Sequence, residues 1–233
     1  MRLAIISDIH SNLEALTEVL NCIATLHIDE IICLGDVVGY GANPNECVSL
    51  IKDAVPYVLL GNHDQAALDL ERTTQFNPLA RMAAEWTNKN LSAESREFLS
   101  RAQYSIERHD LLFVHSSPYQ PEEWHYIISP ADAQFNFSYF PQSICFIGHS
   151  HTPVIFCEDI YTREVVPGKK FIVNVGSVGQ PRDYDPRASF GVMDTGKWHY
   201  ENVRVEYDTK RAADKIRKIG LPKALADRLT VGS

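Results

Sequence analysis

Short apolar runs recur along the chain, and five of them stop at polar residues able to bind metal. "RLAIISDIH" ends in Asp8 and His10, "EIICLGD" in Gly35 and Asp36, and "YVLLGNHD" in Gly61, Asn62, His63 and Asp64; "LLFVH" ends in His115 and "ICFIGHSH" in His149 and His151. The runs are continuous rather than alternating, the pattern of strands buried on both faces. Amphipathic segments with readable starts follow the first of them. Ser11 and Glu14 in "SNLE" have capping-box spacing, ahead of a stripe of Leu13, Leu16, Leu20 and Ile23 that reaches about Leu26. Asn43, Pro44 and Glu46 in "NPNE" repeat the logic, with proline at the first helical position. The β-α-β-α-β order predicts a parallel sheet with right-handed crossovers. Such sheets bind ligands beyond the carboxyl ends of their strands, where these polar residues lie.

Residues 65–101 read as an insertion before the next strand, a cap-like segment that is helical at least where Leu79, Met82, Ala83 and Trp86 fall at i, i+3, i+4 and i+7. From about residue 171 the pattern changes: "KFIVNVGS", "SFGVMD" and "WHYENVRVEY" predict strands in a second, largely antiparallel sheet, and helices are predicted over 209–219 and 222–230. The whole reads as one domain spanning 1–233, long enough for a substantial core.

Composition narrows the function. With 22 basic against 30 acidic residues the net charge is -8, which argues against a nucleic acid polymer as partner, since neutralising phosphates with basic groups dominates such affinity. Five cysteines without a CxxC suit reduced thiols in a cytoplasm. The N-terminus "MRLAIISDIH" runs straight into a strand with no signal-peptide pattern, and no apolar run approaches the ~20 residues of a membrane span. Nothing in the sequence sets the oligomeric state.

His149 and His151 stand two positions apart. In an extended segment they would share a side, their backbones roughly 6.5–7 Å apart at ~3.3 Å per residue, suiting two ligands of one metal or one ligand for each of two. A structural zinc built on Cys145, His149, His151 and Cys157 is the competing arrangement, but the Cys145 thiol in "SICFIG" reads as a small buried hydrophobe. Asp8, His10, Asp36, Asn62, His115, His149 and His151 offer seven nitrogen or oxygen donors, too many for one tetrahedral ion and suited to two ions sharing a carboxylate. Imidazole mixed with carboxylate favours Mn, Fe, Zn, Ni or Co over Mg or Ca; manganese is the expected metal. Two divalent ions against Asp8 and Asp36 leave a site of about +2, which attracts phosphate even in an acidic protein. A water shared between ions ~3.5–4 Å apart loses its proton readily and attacks phosphorus in line.

The ordered blocks "DIH", "GD", "GNHD", "H" and "GHSH", from residue 8 to 151, resemble the calcineurin-like metallophosphoesterase superfamily, whose pattern is DxH, GD, GNH(D/E), H, GHxH. "GSVGQPRDYDPRASF" also resembles a segment of its small bacterial and archaeal branch. The resemblance implies an α/β fold, a four-layer αββα sandwich of two mixed β-sheets flanked by helices. It implies that Asp8, His10, Asp36 and His151 hold one ion, and that Asp36 (bridging), Asn62, His115 and His149 hold the other. His63 then serves as proton donor or transition-state stabiliser. Many relatives carry GDxxDRG, whose second aspartate orients that histidine; here "GDVVGYG" places Gly39 there, and Asp64 is the residue expected to take over. Gly35, Gly39 and Gly41 lack a following GK[ST] and read as a close-approach turn rather than a phosphate loop.

Arg182 in "GQPRDYD" is a candidate phosphate clamp, since guanidinium suits bidentate recognition. Trp124, His125 and Tyr126 are candidates for contacting a leaving group, against the plainer reading of a packed aromatic corner. The expected function is hydrolysis of a phosphodiester or phosphomonoester of a small phosphorylated substrate by a metal-bridging hydroxide. A dinucleoside polyphosphate or nucleotide pyrophosphohydrolase is the alternative. A protein Ser/Thr phosphatase is disfavoured by the missing GDxxDRG, and a catalytically inactive scaffold by the complete ligand set.

Overall fold

The computed structural model, which describes residues 1–159 and 161–233, builds two five-stranded sheets from the apolar runs. In the first sheet β1 (Arg2–Ile6), β2 (Glu30–Cys33) and β3 (Tyr57–Val58) run parallel, as the βαβ pattern requires. The second holds β4 (Ser105–Arg108), β5 (Leu111–Val114), β6 (Ile144–Ile147), β7 (Val154–Cys157) and β8 (Phe171–Asn174), in the order β4-β5-β6-β8-β7. Its central strands β5, β6 and β8 are parallel, and β4 and β7 pair antiparallel at its edges.

This corrects the expected second sheet in two respects. It is mixed with a parallel centre, and the late strands β9 (Ala188–Asp194) and β10 (His199–Val205) do not join it. They return to the first sheet, β9 pairing antiparallel with β1 to give the order β10-β9-β1-β2-β3. Pairing partners far apart in sequence leave no local signature, so the strands were legible and their sheet was not.

Side-chain alternation then makes four layers. Leu3, Ile5 and Ile32 from one sheet meet Phe113, Phe146 and Phe171 from the other in the central core. Ala4, Ile6 and Cys33 face outward onto α1 (Leu13–Thr25) and α2 (Pro44–Ala54). On the opposite side Leu112, Cys145 and Ile172 pack beneath the segment holding α6 (Pro130–Asn136). Cys145 and Cys157 lie in two different apolar clusters, which dismantles the structural-zinc arrangement. All five cysteines are free.

Residues 62–100 are helical almost throughout: α3 (Asn62–Leu68), a 3-10 turn, α4 (Pro78–Asn90) and α5 (Ala93–Ser100). The C-terminal helices α7 (Thr209–Lys218) and α8 (Lys223–Asp227) pack on each other, and α7 also packs on α1. The Ser11 capping box does not form. Asn12 is the N-cap of α1, its side chain accepting from the Ala15 N–H, and Glu14 instead pairs with Lys215 and Arg211 of α7 at 2.6 and 3.1 Å. Asn43 does precede Pro44 at the start of α2, but its side chain donates to Glu46 and makes no cap bond.

Candidate metal centre

The five strand ends belong to both sheets and meet at one edge of the sandwich. Asp8 and His10 follow β1, Asp36 follows β2, and Asn62 opens α3 after β3; His115 follows β5, and His149 and His151 follow β6. All seven are at least nine-tenths buried. They fall into two groups: Asp8 with His10 and His151, and Asp36 with His115 and His149. Asn62 Oδ1 lies 3.3 Å from His115 Nε2. The carboxylate of Asp36 spans the groups, 3.6 Å from His10 Nε2 and 3.3 Å from His115 Nε2.

Backbone carbonyls set the imidazole tautomers. His10 Nδ1 lies 3.1 Å from the Val38 carbonyl, His115 Nδ1 3.0 Å from Leu34 and His151 Nδ1 2.6 Å from Gln180. With the proton on Nδ1 in each bond, the Nε2 lone pairs point into the centre. His10 Nε2 and His151 Nε2 then face each other at 3.1 Å with no proton between them, and buried His149 Nε2 has no partner at all. Two facing lone pairs and an orphaned ring nitrogen are costly unless a cation lies among them. The donor set therefore fits divalent metal.

Electrostatics agree. Burial, reinforced by neighbouring positive charge, pushes His10 and His151 well below the usual histidine range and His149 down to about 3, so these rings are neutral at pH 7, the form that can bind a metal. Burial also works against the charge on Asp36, but His115, His63 and His10 together hold it well below the carboxylate range. His115 resists burial because of Asp36 and is raised to about 9. Asp8 is raised to about 7, chiefly by burial.

His149 and His151 do not sit in an extended segment. Both have left-handed backbone, φ 64° and 62°, and the turn sends one ring to each group. The turn can sit here because Gly148 presses against the site; a Cβ there would lie 2.0 Å from Ser7 Oγ and 2.5 Å from Asp8 Oδ2.

His63 stands beside the centre, its backbone N–H donating to Asp36 Oδ1 at 2.7 Å. Asp64 does not orient its ring, contrary to expectation. That carboxylate accepts from the Val38 N–H at 3.0 Å and the Gly61 N–H at 3.1 Å, clamping two loops together, while His63 Nδ1 has no partner. Packing fixes the ring instead: the Tyr40, Phe76 and His10 rings lie at 4.4, 4.7 and 4.9 Å between centroids. Gly39 makes room, since a Cβ there would meet His63 Nδ1 at 2.9 Å. Burial brings His63 down to about 4.

Arg182 lies on the loop between β8 and β9, which crosses from one sheet to the other. Its guanidinium donates to Gln180 Oε1 at 2.8 Å and stands 5.8 Å from the Tyr40 ring centroid. Tyr40 packs on His10 and His63, and the Gln180 carbonyl holds His151 Nδ1, so the guanidinium lies beside the centre, and its charge helps depress His151 and His63. A cavity of about 340 Å³ opens beside Asn62, His63 and His149, walled by Phe76, Trp124 and Tyr126. Tyr126 stacks on His149 at 4.0 Å; His125 turns away and stacks on Tyr119. Sequence reasoning missed Tyr40, Phe76 and Gln180 as supports of the site. The first and last lie inside motifs it singled out, but only packing makes them supports.

A two-sheet sandwich with a mixed-donor His/Asp centre at the strand ends is the architecture of a metallophosphoesterase. Residues 1–197 match the calcineurin-like phosphoesterase superfamily domain, and the chain belongs to that family. It is 43% identical over 244 aligned positions to an uncharacterized protein of Methanocaldococcus jannaschii, covering 99% of this chain and 98% of that one. It is similar to the solved metallophosphoesterase from Sphaerobacter thermophilus, with 38% identity and a TM-score of 0.89 over 100% of this chain and 99% of that one. A hypothetical protein from Pyrococcus horikoshii OT3, 20% identical, shares the fold with a TM-score of 0.86, covering 100% of this chain and 98% of that one. The chain is thus a hydrolase of a family that uses divalent metals. Among the described residues, no helix is long and apolar enough to cross a membrane.

Proposed function

We propose that this protein hydrolyses a phosphodiester or phosphomonoester bond of a small phosphorylated molecule, using two divalent transition-metal ions, manganese the favoured one. Asp8, His10, Asp36 and His151 hold one ion; Asn62, His115, His149 and the shared Asp36 hold the other. The observation carrying this reading is the pair of facing Nε2 atoms, His10 and His151, 3.1 Å apart beside the orphaned His149 Nε2. Metal ions bound there supply Lewis-acid charge to the phosphoryl oxygens and lower the pKa of water.

The chain's own groups do the rest. His63, held by Tyr40 and Phe76, donates to the leaving-group oxygen once the negative charge of a bound phosphate raises its ring above the low value of the empty site, and Arg182 takes a non-bridging phosphate oxygen. The helical segment 65–101 serves as a cap whose Phe76 closes one wall of the cavity. Trp124 and Tyr126 offer aromatic faces to the leaving group, which favours a dinucleoside polyphosphate as the second reading. The five free thiols fit a reducing cytoplasm.

The test is reconstitution with Mn²⁺, elemental analysis, and a screen of bis(4-nitrophenyl) phosphate, 4-nitrophenyl phosphate and dinucleoside polyphosphates. Two ions per chain with turnover are expected, and Asp36→Asn should lose both ions together. One cysteine-bound zinc per chain would overturn the dinuclear assignment; a fully loaded protein that hydrolyses none of these would make the chain a binding scaffold.

A further inference from the structure

Two arginines beside the metal centre share one neutral partner. Arg182 donates to Gln180 Oε1 at 2.8 Å, and Arg228, just past α8, donates to the same oxygen at 3.2 Å. The Nε of each guanidinium is buried and has no partner. Among the described residues neither group forms an ion pair, because the acids nearest to them in sequence are already taken. Asp183 pairs with Arg204, Asp185 with Arg187 at 2.6 Å, and Asp227 with Arg217 and Lys223 at 2.9 and 2.6 Å.

Two like charges gathered around one amide oxygen repel, and the amide neutralises neither. Burial, and after it the charge of Arg182, pushes Arg228 below the usual arginine range. The fold nonetheless fixes the pair in place. Gln180 is 1% exposed, its N–H donating to Ser177 Oγ at 2.8 Å while its carbonyl holds His151 Nδ1. The turn carrying Arg228 is tied to the Arg182 loop, since the Tyr184 N–H donates to the Gly232 carbonyl at 2.7 Å and the Gly232 N–H to the Arg228 carbonyl at 2.9 Å. Guanidinium is the group that holds phosphate and carboxylate in two-pronged fashion, and an anion here would neutralise both charges.

We propose that Arg182 and Arg228 form an anion subsite beside the metal centre, which takes a second phosphate or carboxylate of the substrate beyond the phosphate that is cleaved. The subsite presupposes a phosphoesterase centre. Its two arginines are not equivalent. Arg182 stands 5.8 Å from the Tyr40 ring centroid, and beyond the effect of burial its charge lowers the His10, His63, His149 and His151 rings. Arg228 joins it only at Gln180 Oε1. Arg182 therefore borders both the cleaved phosphate and the second group, and Arg228 serves the second group. A substrate with a single phosphate would leave Arg228 uncompensated.

Titration calorimetry of the manganese-loaded full-length protein with phosphonates, which are not hydrolysed, tests this apart from turnover. Ethylphosphonate carries one anionic group, 3-phosphonopropionate adds a carboxylate, and ethane-1,2-diphosphonate adds a second phosphonate. At least one of the two-anion probes should bind about tenfold tighter than ethylphosphonate, the increment of one charge-assisted contact, and the probe that does so names the second group. Arg228→Gln should bring that preference close to unity. Arg228→Lys, which keeps the charge and the stem but not the fork, should give an intermediate value and guards against misfolding of the glutamine variant. Equal wild-type affinity for all three probes, or no binding of any, would overturn the proposal. So would a preference that both variants retain, which would place its origin at the metals. Phosphoester hydrolysis without the preference would sink the subsite and leave the phosphoesterase reading standing; the preference without hydrolysis would do the reverse.

Discussion

Asp8, His10, Asp36, His149 and His151 hang from left-handed backbone, with φ of 55°, 49°, 54°, 64° and 62°. Such conformations cost of order 1–3 kcal/mol each in non-glycine residues and persist where surrounding bonds over-determine them. The His10 N–H donates to the Asp36 carbonyl, the Asp8 N–H to the Gly35 carbonyl, the His149 N–H to the Asp8 carboxylate and the Arg182 N–H to the His151 carbonyl, so each strained residue is held by another site loop. Beside this frame stands His63, whose proposed role is on the leaving group. His63→Ala should lower kcat by about 10²- to 10⁴-fold while metal content stays near normal, because the ring is no ligand. Proton donation predicts a larger loss with alkyl than with nitrophenyl leaving groups; equal losses would leave only electrostatic stabilisation. Arg182→Lys should reduce kcat/KM about tenfold with metal content unchanged, since lysine cannot make a two-pronged contact. Unchanged kinetics would reduce Arg182 to its bond with Gln180. These residue types were legible in the sequence because catalytic donors come in recognisable blocks. Their backbone strain was not, because nothing in a side chain's identity announces φ.

At the scale of elements, the site depends on loops that leave different strands and are tied to one another. Asp64 is the clearest tie, joining the loop after β2 to the start of α3 through the Val38 and Gly61 N–H groups. Asp64→Ala leaves two buried donors unpaired at about 1–3 kcal/mol each. At 2–4 °C per kcal/mol for a chain of this size, melting should fall by about 5–20 °C. Metal content should fall too, since Gly61 packs against Asp36. Asp64→Asn keeps one acceptor and should lie between the two; an Asp64→Ala protein with normal melting and metal content would show that the tie is dispensable. The adjacency of Asp64 to His63 in sequence pointed the wrong way here, because neighbours at a helix start project in different directions. Likewise Ser11 had cap spacing, yet its φ of 55° makes it part of the metal loop and passes the cap to Asn12.

Across the whole molecule, the centre buries seven polar side chains between two sheets, and without metal the ring nitrogens that face inward have only one another or no partner at all. Bound metal stabilises the fold by about 2.7 kcal/mol for one site at a hundredfold excess over Kd, so chelation should lower melting by about 5–10 °C in differential scanning calorimetry. Loading should also displace protons. In the empty site His115, raised to about 9, is protonated at neutral pH, and Asp8, raised to about 7, is partly so; both must deprotonate to bind. Metal affinity therefore falls as pH drops below about 9, where His115 takes up its proton, and more steeply below about 7, where Asp8 follows. Titration calorimetry in two buffers of different ionisation enthalpy should give different heats, whereas equal heats would mean ligands already deprotonated.

Residue type and spacing were enough to find the five strands that end in ligands and the late strands β8, β9 and β10, because burial and ligand chemistry are written there; β4 and β7, short edge strands, left no such mark. Tertiary structure alone decided that β9 and β10 return to the first sheet, that packing rather than Asp64 holds the His63 ring, and that His149 and His151 part through left-handed backbone rather than along an extended segment. Each of these turns on contacts between residues distant in the chain or on backbone rotation within a loop, and neither leaves a periodic trace in the order of amino acids.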